Sequence, residues 1–128
     1  MIIGIGTDVV QIPRIQKLLK KFGTKFVNKY FTEEEILISN SYTHSALYAA
    51  YFAKRFAAKE ALVKAAGKGF RGIRFKDISI TKDSLGAPFI NITGKAHKIL
   101  FSSNSNYQIH LSLSDDYPIA LAFVIVSE

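Results

Sequence analysis

Residues 44–66 form one alanine-rich segment of helical character, closed by Gly67 where a C-terminal cap belongs. A helix of that length reaches roughly 35 Å, about the width of a small domain. In a chain of 128 residues, the other elements must pack along this rod. The length suits one domain and leaves no room for two ordinary ones, so residues 1–128 are expected to fold as a single domain. Hydrophobic residues at 48% against 21% charged supply material for a real core.

The segments around the rod carry shorter signals. Residues 1–10 read as a strand, with β-branched Ile2, Ile3, Ile5, Val9 and Val10 thinned by Gly4 and Gly6. Pro13 suits the first turn of a helix in which Ile12, Ile15, Leu19 and Phe22 recur at helical spacing, and Gly23 ends it. Thr32 with Glu35 is a capping box that opens a short helix. Residues 68–76 are a basic, glycine-containing loop, and 77–81 and 89–92 are strands joined by a turn at 84–88. A short helix at 94–101 and a polar loop at 102–106 follow. Residues 107–114 alternate strictly, 115–118 is a turn, and 119–126 is apolar on both faces, as a central buried strand would be. The order β-α-α-α-β-β-α-β-β predicts an α+β fold, an antiparallel sheet with a long central helix.

With no cysteine, neither a disulfide framework nor a thiolate metal site is available. No stretch approaches ~20 uninterrupted apolar residues, and the apolar run 1–6 is too short for a signal peptide and lacks a basic leader. A cytoplasmic protein is expected. Net charge is +7, and no acid lies between Asp8 and Glu33, where Arg14, Lys17, Lys20, Lys21, Lys25 and Lys29 fall. A second basic group runs from Lys54 to Lys76. Such a field attracts polyanions: nucleic acid, phosphorylated cofactors, acidic lipid or an acidic protein.

Two segments offer chemistry. In Gly4-Ile5-Gly6-Thr7-Asp8, a carboxylate ends an apolar strand, and the glycines allow a ligand or another backbone to come close. The plain alternative is that Asp8 caps the next turn. In Arg55-Phe56-Ala57-Ala58-Lys59-Glu60-Ala61-Leu62-Val63-Lys64, helical spacing puts Phe56, Glu60, Lys64 and Gly67 on one stripe. Here the plain alternative is an exposed Glu-to-Lys pair, worth only a few tenths of a kcal/mol. Two carboxylates from separate elements, plus a lysine, are what a magnesium–diphosphate site needs, because magnesium takes one or two carboxylates and completes its shell with phosphate and water. His110, Ser112 and Ser114 share a strand face, but nothing supplies a base and orienter for a nucleophile. Tyr48, Tyr51 and Phe52 read as helix core.

In order and spacing these two segments resemble the signatures of bacterial holo-[acyl-carrier-protein] synthases, the small trimeric class of 4′-phosphopantetheinyl transferases. The similarity continues through Gly86-Ala87-Pro88 and the strand His110-Leu111-Ser112-Leu113-Ser114, so it covers nearly the whole chain. It implies Asp8 and Glu60 as magnesium ligands and Lys64 on the diphosphate of coenzyme A. Arg55, Phe56, Gly67 and Pro88 would line the same cofactor site. It implies a homotrimer with active sites at the interfaces, and docking of apo acyl carrier protein on the first helix and the turn after it, through Arg14, Lys17, Lys21 and Lys25 with Leu18 and Phe26 as apolar anchors. Where many members have a histidine after the Ser-Leu-Ser strand, this chain has Asp115, read either as a third carboxylate near the metal or, slightly favoured, as the start of the hairpin turn with Asp116. Two rival readings are a nucleic-acid-binding module and a non-catalytic carrier-binding protein. The joint presence of Asp8, Glu60 and Lys64 counts against both.

Overall fold

The computed structural model describes residues 1–101 and 106–128. The chain runs β1 (Ile2–Gln11), α1 (Ile12–Phe22), α2 (Thr24–Tyr30), α3 (Glu33–Ser39), α4 (Ser45–Ala66), a short 3-10 turn (Phe75–Asp77), β2 (Ile78–Lys82), β3 (Pro88–Ile92), α5 (Gly94–Phe101), β4 (Gln108–Asp116) and β5 (Ile119–Ser127). Helix α4 is the expected rod. Fourteen of its 22 residues are buried, so most of its circumference is enclosed by its own domain, and the stripe of Glu60 and Lys64 is left open. Its many alanines let neighbours approach from every side. Gly67 ends it in the left-handed region at φ 73°, with its N–H donating to the carbonyls of Val63 and Lys64.

An antiparallel sheet in the order β1-β5-β4 lies against α4, and a separate hairpin pairs β2 with β3. The inner face of β5 presents Ala120, Ala122, Val124 and Val126, all fully buried, and α4 packs on it. Strand β5 is central in its sheet, as expected, but only one of its faces is covered. Leu121 (36% exposed) and Phe123 (38%) look outward beside Val9 and Ile5 of β1, in an apolar sheet face that a single chain leaves open.

The structure departs from the sequence expectations in three other places. Residues 24–30 form α2, for which no helix was expected; it starts on Gly23 at φ 53° with no side-chain cap. Asp77 belongs to the 3-10 turn instead of β2. Asp115 and Asp116 continue β4, paired with Ala120 and Ile119, so the hairpin turns at Tyr117-Pro118. The polar loop expected at 102–106 lies, except for Asn106, outside the described residues.

Candidate active site

The two glycines of β1 are there for α4. A Cβ on Gly6 would sit 1.9 Å from the carbonyl oxygen of Ala61, and one on Gly4 would sit 2.1 Å from that of Ala65. Strand backbone therefore rests directly on helix backbone, the close approach that only glycine allows. Residues of one parity face the helix: Gly4, Gly6, Asp8 and Val10. Asp8 is the first of these with a functional side chain, so the seam delivers its carboxylate over the stripe of α4 that carries Glu60 and Lys64. Lys64 Nζ donates to Asp8 Oδ1 at 3.1 Å and to the Thr7 carbonyl at 3.0 Å.

Glu60 is half-buried at the same place. Burial pushes its carboxyl above the ordinary value, the Asp8 charge pushes it further, and Lys64 and Arg14 oppose both. The two carboxylates repel one another even with Lys64 and Arg14 beside them, and such a pair is a donor set that a hard dication would satisfy. Among the described residues no group of three or more His, Cys, Asp or Glu could hold a metal, so any metal here would need oxygens from a substrate or water. Magnesium binds in that way.

One turn before Glu60, Phe56 closes a cleft of about 320 Å³ whose other walls are Arg14, Leu18 and Phe22 of α1 and Lys25, Phe26, Lys29 and Tyr30 of α2. The floor is aromatic: Tyr30 meets Phe26 at 5.3 Å and Phe56 at 5.7 Å between ring centroids. The rim is cationic and carries no acid. Because Arg14 also acts on Glu60, the cleft opens beside the carboxylate pair. Arg55, 3% exposed, stacks its guanidinium 3.7 Å above the Tyr51 ring and donates to the Tyr51 carbonyl. Its Nε is buried with no hydrogen-bond partner among the described residues. Its burial and its stacking on Tyr51 make Arg55 part of the packing behind the cleft wall.

A profile of the 4′-phosphopantetheinyl transferase superfamily matches residues 4–122. The chain belongs to this superfamily. It is 55% identical to a holo-[acyl-carrier-protein] synthase of Zymomonas mobilis, with 98% of this chain and 96% of that one covered. Among solved structures it resembles the holo-[acyl-carrier-protein] synthase of Neisseria meningitidis, at 41% identity and a TM-score of 0.87 with both chains fully covered. It also resembles the Helicobacter pylori enzyme solved in complex with coenzyme A, at 33% identity and a TM-score of 0.78 over 96% of this chain and 99% of that one.

In this phosphopantetheinyl transferase the structure brings Asp8, Glu60, Lys64, Arg14 and Phe56 to one place. Gly67 ends α4 three residues beyond Lys64. Pro88 stands apart, opening β3 opposite Lys82 in the second sheet. Leu18 and Lys25 line the cleft with Arg14, while Lys21 sits outside it with its ammonium over the Phe22 ring. Phe26, expected as an anchor, is 4% exposed; it forms cleft floor, and Phe22 is the exposed aromatic at the rim. Asp115 is neither a turn residue nor part of the carboxylate pair, because it forms an ion pair with Lys54 at 3.0 Å. His110 shares a hydrogen bond with Ser127 across the sheet at 3.0 Å.

Sequence reasoning did not place Lys29 and Tyr30 in the cleft; helical spacing on the unforeseen α2 puts them one turn from Lys25 and Phe26, which were named. It also passed over Lys59 and Glu35, a fully buried ion pair at 2.7 Å. The capping-box spacing of Glu35 was a visible signal for half of that pair.

Proposed function

We propose that this superfamily member is a holo-[acyl-carrier-protein] synthase that transfers the 4′-phosphopantetheine group of coenzyme A to a serine of apo acyl carrier protein, in support of fatty acid biosynthesis. The products are holo acyl carrier protein and adenosine 3′,5′-bisphosphate. The observation that carries this reading is the convergence of Asp8 and Glu60 beneath Lys64, brought together by the seam of β1 on α4.

Asp8 and Glu60 would hold one Mg2+, which when bound would neutralise diphosphate charge and polarise the phosphorus toward attack. The chain's own groups do the rest. Lys64, its side chain 56% exposed, is free to leave Asp8 and reach the diphosphate, where it stabilises charge developing on the leaving phosphate. Arg55, Phe56, Gly67 and Pro88 serve the cofactor. The carrier serine oxygen bonds to the pantetheine-side phosphorus as the diphosphate bridge on its other side breaks. The serine proton leaves to one of the two carboxylates or to a water that they order.

The cationic rim and aromatic floor of the cleft fit an acidic carrier helix with apolar side chains. Arg14, Lys21 and Lys25 steer it, and Leu18 and Phe26 receive it beside the carboxylates. The open apolar face of Ile5, Val9, Leu121 and Phe123 supports a homotrimer in which neighbouring copies complete each other's cofactor sites. Pro88, on a different sheet from Asp8, then reaches the cofactor from a second copy. On this reading the enzyme acts in the cytoplasm, and no described helix is long and apolar enough to cross a membrane. The test is a mass spectrum of apo acyl carrier protein after incubation with coenzyme A, Mg2+ and this protein. A mass gain equal to one phosphopantetheine group is expected, and an unmodified carrier would overturn the proposal.

A further inference from the structure

Lys59 stands next to Glu60 in sequence and points the opposite way, into the core. Its ammonium is fully buried. Nζ donates to Glu35 Oε1 at 2.7 Å and to the Tyr30 carbonyl at 2.8 Å, and it lies 4.9 Å from the centroid of the Phe31 ring. Glu35 is equally committed: Oε1 also accepts from the Thr32 N–H at 2.8 Å, and Oε2 accepts from the Ile80 N–H at 2.9 Å. Four elements therefore meet at one charge pair: the end of α2, the start of α3, strand β2 and helix α4.

A buried ion pair is weak evidence for stability, because apolar residues of the same volume often do as well. The bond to Tyr30 is what makes this pair more than a brace. Tyr30 ends α2, the seven-residue helix that supplies Lys25, Phe26, Lys29 and Tyr30 to the cleft. A helix so short has little stability of its own. Its N-terminus is uncapped by any side chain. At its C-terminus, Lys59 satisfies a carbonyl that has no partner within the helix, and from α4 it fixes how far α2 stands from Phe56 on the opposite wall.

We infer that Lys59 is a positioning residue that sets the width and register of the carrier cleft through the Tyr30 carbonyl, while Glu35 neutralises it and ties α3 and β2 to the pair without touching α2. The inference rests on the proposal that the carrier docks in this cleft. It separates two effects that a purely structural lysine would move together.

The experiment compares Glu35→Gln, the double variant Lys59→Met with Glu35→Gln, and the unmodified enzyme, with KM measured separately for apo carrier and for coenzyme A. Glu35→Gln keeps the donor to Tyr30, so melting temperature should fall while the carrier KM stays unchanged. The double variant removes both charges, so melting temperature should recover in part. Its carrier KM should nevertheless rise about three- to tenfold, the factor that one ordinary hydrogen bond is worth, with the coenzyme A KM unchanged. A double variant with the unmodified carrier KM would overturn the inference, as would equal rises for both substrates. Should the double variant not fold, amide hydrogen exchange on the unmodified enzyme decides: residues 24–30 must be protected with α4, and rapid exchange there would show that Lys59 does not hold α2. Failure of the docking proposal itself is distinguishable, because Phe22→Ala would then also leave the carrier KM unmoved.

Discussion

Gly6→Ala changes one hydrogen to a methyl and should cost this protein both stability and activity. The new Cβ would lie 1.9 Å from the Ala61 carbonyl oxygen and 2.8 Å from the Ala65 nitrogen, where ordinary contact begins at 3.4 Å. Strand and helix must then separate by about 1.5 Å at that point. Neither side can give way cheaply, because both obstructing atoms are backbone of α4. Overpacking typically costs about 1–3 kcal/mol, and a backbone clash belongs at the top of that range or beyond. For a domain of this size a loss of about 3 kcal/mol lowers the melting temperature by roughly 10 °C. Because Asp8 lies two residues along the same strand, its carboxylate shifts relative to Glu60, and displacement near 1 Å can reduce a rate by about 100-fold. Thermal melting and the rate of phosphopantetheine transfer measure the two effects. Gly69→Ala is the control: a Cβ there meets nothing within 4 Å, and only its φ of +65° is strained, so about 1 kcal/mol and no direct effect on the rate are expected. A Gly6→Ala protein that melts and turns over like the unmodified one would refute the argument that the glycines exist for the seam.

Asp8→Asn and Glu60→Gln should abolish transfer yet leave the chain folded; either variant turning over near the unmodified rate would exclude that residue as a ligand. Raised above its ordinary value in the folded state, Glu60 binds its proton more tightly folded than unfolded, so stability falls as pH climbs from the ordinary carboxylate value through the raised one. Glu60→Gln should remove that pH dependence and stabilise the metal-free protein by no more than about 1 kcal/mol once solvent screening is allowed for, as read by melting temperature across that range. Reversing the charge of Arg14 together with Lys21 should raise the carrier KM several-fold and flatten its salt dependence, while the KM for coenzyme A scarcely moves. Phe123→Arg on the open sheet face should give monomers by light scattering and lose transfer; a fully active monomer would refute the trimer but not the chemistry.

The parts of the fold legible in the sequence were those written in local spacing. Helix α4 and its Gly67 cap, the capping box of Thr32 and Glu35, and the alternation of β4 all depend on residues within a few positions of one another. Asp8, Glu60 and Lys64 were legible because their surrounding motifs resemble a known family, and the structure adds why the motif needs both glycines. Helix α2 was missed because residues 24–30 bear no cap and no acidic first turn; what holds it is distant in sequence, the core around Phe26 and Val27 and the bond from Lys59, 29 residues beyond Tyr30. Asp115 looked like a turn residue beside Asp116 and Pro118, but it pairs with Ala120 in the ladder and its carboxylate meets Lys54 of α4, neither of which local spacing shows. The doubly apolar pattern of β5 was read as burial on both faces, but the structure covers only the face of Ala120, Ala122, Val124 and Val126 and leaves Leu121 and Phe123 exposed. Lys59 sat inside the motif unremarked, since its role depends on Glu35 and Tyr30 coming together from outside α4.

Asp8 and Glu60 are proposed to hold jointly the metal that grips the diphosphate of coenzyme A. Manganese can replace magnesium as a paramagnetic probe, and electron spin resonance then counts bound ions directly. With coenzyme A present, the unmodified protein should bind one Mn2+ per chain, and the Asp8→Asn, Glu60→Gln double variant should bind none at the same concentration. Equal binding by both proteins would contradict the claim.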